Sequence, residues 1–138
     1  MNNLNELAKK YHERARAKGF WDEPRETGTL LMLMVSELSE ALEADRKNKH
    51  ADLSKMQPDV ERLTEIFKNS HAQDLISADE PFKQAFEDNV KYTFEDEIAD
   101  VFIRLFDFIG QRNIDIEKHI ELKMQYNLTR EYKHGKAY

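Results

Sequence analysis

The sequence predicts an all-α protein, and three observations carry the prediction. Apolar residues recur every three or four positions through nearly the whole chain, the spacing that gathers them on one side of a helix. Only 4 Gly and 3 Pro occur among 138 residues, too few for the many tight turns of a sandwich or barrel. No stretch alternates apolar and polar residues long enough to read as a half-buried strand. With 8 Phe, 5 Tyr and 1 Trp to fill a core, residues 1–138 are expected to fold as one domain, a bundle of five or six helices.

The first helix is expected from about Leu4 to Lys18, with Asn3 as its N-cap and Leu4, Leu7, Tyr11 and Ala15 in one line. Gly19 stops it, because glycine takes the left-handed C-terminal position cheaply. A loop holding Phe20, Trp21 and Pro24 leads to Thr27 or Thr29, either of which suits the start of a second helix. That helix, the most apolar of the set, extends to about Lys49, and residues 50–57 read as a loop. Pro58 fits a first helical turn, followed by Val60, Leu63, Ile66 and Phe67 in a short helix ending near Asn69 or Ser70. Ser77 or Asp79 with Pro81 opens another, with Phe82, Ala85, Phe86 and Val90 on one face. Whether it runs unbroken into the segment from Phe94 to Ile109 is left open. Gly110 and Asn113 are expected to end that segment, and Asp115 to cap a last helix carrying Ile116, Ile120, Met124 and Leu128. Residues 131–138 form a short basic tail.

Composition narrows the chemistry. The formal charge is -6, which argues against a general nucleic-acid-binding surface. With no cysteine, a disulfide scaffold, a zinc–thiolate site, an iron–sulfur cluster and a cysteine nucleophile are excluded. The longest apolar run, Leu30 to Val35, falls far short of the roughly 20 residues that cross a bilayer. The N-terminus lacks the basic start and apolar stretch of a secretory signal, so a soluble cytoplasmic protein is expected.

The sharpest feature lies in the second helix. On a helical projection Glu37 falls among Leu30, Leu33, Ala41 and Ala44, and Glu40 lies one turn on. A solvated face would not ordinarily place leucines on both sides of its glutamate, and an isolated buried carboxylate costs several kcal/mol or gives up its charge. A second pair, Glu97 and Asp100, repeats the spacing on a helix that also holds Ile98, Val101, Phe102, Leu105 and Phe106. With Arg104 and Asp107 it can equally be drawn as a polar sector facing water. If the two pairs converge, four carboxylates with no thiol and no clustered imidazole select a hard cation such as Mg²⁺ or Mn²⁺. The reaction class that follows is metal-assisted attack of water on a phosphoanhydride. Di-iron chemistry wants two Glu-x-x-His motifs, and the sole match is Glu131 to His134 in the tail.

Taken in order, Ser36-Glu-Leu-Ser-Glu-Ala-Leu-Glu and Glu97-Ile-Ala-Asp100-Val resemble the ExxE…ExxD signature of the MazG-like nucleotide pyrophosphohydrolases of the all-α NTP pyrophosphatase superfamily. The ending Lys123…Asn127…Arg130, then Lys133-His-Gly-Lys136, and the upstream Lys18-Gly-Phe-Trp21 are similar to small members of that family. The likeness covers about residues 4–48 and 93–138. It implies a helical bundle that usually dimerises, as a homodimer or homotetramer. It also implies Mg²⁺, with Mn²⁺ as a substitute, on Glu37, Glu40, Glu97 and Asp100, and hydrolysis of a (deoxy)nucleoside triphosphate to monophosphate and pyrophosphate. Ser36 stands where the family often has a further glutamate, and 56 residues separate Glu40 from Glu97, so about 50–90 reads as a helical insertion.

Lys123, Asn127 and Arg130 are spaced to share one face of the last helix. There Lys123 and Arg130 would bind phosphate oxygens and Asn127 sugar or phosphate, while the plainer reading is that basic residues suit a helix C-terminus. Trp21 is a candidate to stack on a nucleobase, or else caps the core beside Phe20, and His12 could reach the same pocket. Lys133 and Lys136 are weaker phosphate candidates. Met32, Met34, Phe102 and Phe106 read as core or dimer interface. A non-catalytic helical interaction module, using an acidic face to hold a basic partner, is the alternative function.

Overall fold

A computed structural model describes residues 3–56 and 80–131, and in them every element is helical: five α-helices and a 3-10 turn, with no strand. The helices are α1 (Leu4–Ala17), α2 (Thr27–Arg46), α3 (Glu80–Asn89), α4 (Phe94–Arg112) and α5 (Ile116–Leu128), and the turn is Leu53–Met56. The helix expected over 58–70, the caps Ser77 and Asp79, and Lys133 and Lys136 lie outside the described residues. No described helix is long and apolar enough to cross a membrane.

The described chain forms two compact units: residues up to Leu31 with those from Phe102 onward, and Met32–Val101. In the first, Asn3 caps α1 as its side chain accepts from the Asn5 and Glu6 amides, and Gly19 follows the helix at φ 82°. The start of α1 is tied to the start of α5. The Leu4 amide donates to Glu117 Oε1 at 2.6 Å, Asn5 Nδ2 to Asp115 Oδ1 at 2.8 Å, and the Ile116 amide to Asn5 Oδ1 at 3.0 Å. Asp115 caps α5 as expected, accepting from the Lys118 amide. Tyr11 stacks on Phe106 with ring centroids 5.9 Å apart. Gly110 does not end α4, which runs on to Arg112 before Asn113, at φ 51°, turns the chain. Its missing side chain serves packing instead. A Cβ at Gly110 would lie 2.4 Å from the carbonyl oxygen of the buried Ala8 and 2.8 Å from His12 Cβ, so α1 and α4 touch backbone to backbone.

In the second unit, α2 stops at Arg46, short of Lys49, because Asn48 enters the left-handed region at φ 51° and the Lys49 amide turns back to the Ala44 carbonyl at 2.9 Å. The 3-10 turn packs against α3. Between α3 and α4 the helix is interrupted. The Val90 and Lys91 amides both reach the Phe86 carbonyl at 2.9 Å, Tyr92 takes φ 61°, and Thr93 restarts the helix by accepting from the Asp96 amide.

Candidate functional site

Helix α2 buries Leu30, Met34, Glu37, Ala41 and Ala44, a stripe with intervals of four and three in which one member is a carboxylate. Glu37 is 7% exposed, and Glu97 on α4 is 4% exposed. Glu40, one turn beyond Glu37, is exposed. One carboxylate oxygen from each of Glu37, Glu40 and Glu97 lies within 4.8 Å of the other two, all inside the second unit. The water-facing drawing of Glu97 is therefore corrected. The side chain is buried while its apolar neighbours on the helix, Phe94, Ile98 and Val101, are half-buried, and Phe102 and Ile103 farther along α4 are exposed. Asp100, one turn on, is half-buried and stands outside the group of three.

Burial pushes the Glu97 carboxyl up to about 7. The Glu40 charge, a hydrogen bond with Glu37, and the charges of Glu37 and Asp96 act in the same direction. Three carboxylates gathered this closely, two of them out of water, make a strongly negative spot that protonation or a bound cation would neutralise. Only oxygen donors enter the group, a set suited to a hard divalent ion.

The first unit holds a different arrangement. Trp21 Nε1 donates to Asp107 at 2.9 and 3.1 Å, and His12 Nδ1 lies 2.8 Å from Asp107 Oδ1. The His12 ring meets Trp21 edge-on at 5.3 Å, and the Arg25 guanidinium sits 5.7 Å from the indole centroid. A cavity of about 370 Å³ beside Trp21 is lined by Glu13, Arg16, Ala17, Trp21 and Asp22. Asp107 was visible in the sequence only as part of a polar sector. Nothing local announced that it would orient both a histidine and a tryptophan.

On α5, Lys123 lies 5.1 Å from the Tyr126 ring centroid. Asn127 Oδ1 is buried and has no hydrogen-bond partner among the described residues, an atom that in a folded protein ordinarily finds one. Arg130 does not share the helical face with these two. The helix ends at Leu128 with Thr129 as its C-cap, and the Arg130 amide closes a turn onto the Asn127 carbonyl at 3.2 Å. Compared with protein-family models, curated proteins and solved structures, the chain matches none of them.

Proposed function

We propose that the chain is a Mg²⁺-dependent nucleotide pyrophosphohydrolase, with Mn²⁺ able to stand in. It would cleave a (deoxy)nucleoside triphosphate to monophosphate and pyrophosphate and so clear non-standard or surplus nucleotides from a cytoplasmic pool. The observation that supports it is the meeting of Glu37, Glu40 and Glu97, from stretches 56 residues apart, in one oxygen-only group with two members buried. The resemblance of both acidic motifs to the MazG-like family supplies the reaction. In this reading the three glutamates and Asp100 hold the ion. When bound, the ion neutralises phosphate charge and orients the phosphoanhydride toward water. The roles of Lys123 and Arg130 toward phosphate oxygens, of Asn127 toward sugar or phosphate and of Trp21 toward the base rest on the family resemblance alone.

The same reading includes a second copy of the chain, as a dimer or tetramer. Helix α2 exposes Leu31, Val35, Leu38 and Leu42 at intervals of four, three and four, the spacing of a helix–helix seam. Helix α5 exposes Leu122, Met124 and Leu128.

The deciding experiment measures pyrophosphate against orthophosphate released from a panel of nucleotides with Mg²⁺. Pyrophosphate is expected, and Glu37→Gln or Glu97→Gln is expected to lower the rate about 100- to 1,000-fold while leaving the protein folded. A non-catalytic helical module predicts no cleavage and no thermal shift with Mg²⁺ plus nucleotide. Full activity in either folded variant would overturn the site.

A further inference from the structure

Resting on the metal reading of the three glutamates, we infer that Glu95 is a positioning residue for that site, through a clasp that fixes the end of α2 against the start of α4. Two residues apart on a helix means about 200° of rotation, so Glu95 points away from the group that Glu97 joins. Its carboxylate is occupied elsewhere. Oε2 accepts from the Ala51 amide at 2.9 Å, and Oε1 lies 3.1 Å from His50 Nδ1. His50 in turn has Nε2 3.9 Å from Asp45 Oδ1 in the last turn of α2, and its ring lies 5.9 Å from that of Phe94.

Two backbone bonds run alongside. The Phe94 amide donates to the Lys49 carbonyl at 3.0 Å, and the Asp52 amide to the Asn89 carbonyl at 3.1 Å. Residues 49–52 are thus strapped to 89–95, and Glu95 supplies the side-chain share of the strap. The connection back to the ligands is short and stiff: α2 runs unbroken from Glu37 and Glu40 to Arg46, then closes at once through the left-handed Asn48. Moving the strap would move the α2 pair against Glu97. Such a shift matters most to Mg²⁺, which demands near-ideal octahedral geometry at about 2.0–2.1 Å, and less to Ca²⁺, which accepts looser shells at about 2.3–2.6 Å.

The test titrates the whole protein with Mg²⁺ alone and with Ca²⁺ alone, following thermal unfolding, for the unsubstituted chain, Glu95→Ala and Glu95→Gln. Glu95→Ala is expected to weaken Mg²⁺ binding at least about tenfold, the scale of outer-shell losses, and Ca²⁺ binding much less. Glu95→Gln, which keeps an acceptor for the Ala51 amide, is expected to recover most of the Mg²⁺ affinity. If Glu95→Ala does not fold, Glu95→Ser, too short to reach the Ala51 amide, must show the lowered Mg²⁺-to-Ca²⁺ preference that Glu95→Gln does not. A lower melting temperature with the Mg²⁺-to-Ca²⁺ preference unchanged means plain structural support and overturns the inference. Failure of the unsubstituted chain to bind either ion overturns the metal reading itself, a result recognisable before any variant is compared.

Discussion

Glu97 is the residue at which burial and charge oppose each other most directly. In the unfolded chain its carboxyl titrates near the ordinary 4.5; in the fold it is held up to about 7 by burial and by the carboxylates around it. The protonated form is therefore the one the fold favours. Its stabilising contribution is complete below 4.5 and is lost as pH rises through 7. Without divalent cation, the urea midpoint is expected to fall between about pH 5 and 7.5, and Glu97→Gln is expected to flatten that slope. Glu95 and Asp115 carry the opposite sign. The Ala51 amide holds the first below its usual value, and Asn5 holds the second low, so what they contribute is lost only as pH falls through the acid range. The two limbs separate cleanly along the pH axis. A cation that binds the ionised form of Glu97 should expel its proton near neutrality, and calorimetry in two buffers of different ionisation enthalpy would read that release.

At the scale of elements, the starts of α1 and α5 were legible because a cap is local chemistry. Asn3 and Asp115 each lie within three residues of the amides they satisfy. Asp115→Ala is accordingly expected to cost about 1 kcal/mol in chemical denaturation, with the Asn5 bond adding to the loss. The helix ends were less legible, and Gly110 shows why. A glycine late in a helical pattern reads as a stop, yet here the neighbour that explains it, Ala8, is 102 positions away in sequence and reveals itself only in three dimensions. Gly110→Ala would ordinarily strengthen a helix by about 1 kcal/mol. Against the Ala8 carbonyl the methyl has no room, and a net loss of about 1–3 kcal/mol is expected, measured by urea denaturation. The candidate site divides in the same way. Glu37 stood out because a carboxylate broke an apolar stripe. Asp107 did not, because its partners His12 and Trp21 lie 95 and 86 positions away.

For the whole molecule the unresolved term is apolar surface. Leu38 and Leu42, each about half exposed, continue the α2 line begun by Leu31 and Val35, one step around the helix from the buried stripe that contains Glu37. Fully burying such a side chain is worth roughly 1.5–3 kcal/mol, and these four, each about half exposed, have about half of that still to gain, which makes the row a driving force for self-association. A net charge of -6 opposes the approach of two copies, but that repulsion is spread over the surface and screened within about 8 Å at physiological salt, whereas the apolar row acts at contact. Sedimentation velocity is therefore expected to show a species of at least twice the chain mass of 16.4 kDa, with a melting temperature that rises with protein concentration. Leu38→Lys places an ammonium in the middle of the row while leaving the buried stripe intact. It is expected to give monomers whose melting temperature no longer depends on concentration. A variant that still sediments as the unsubstituted chain does would mean that this row is not the seam between copies.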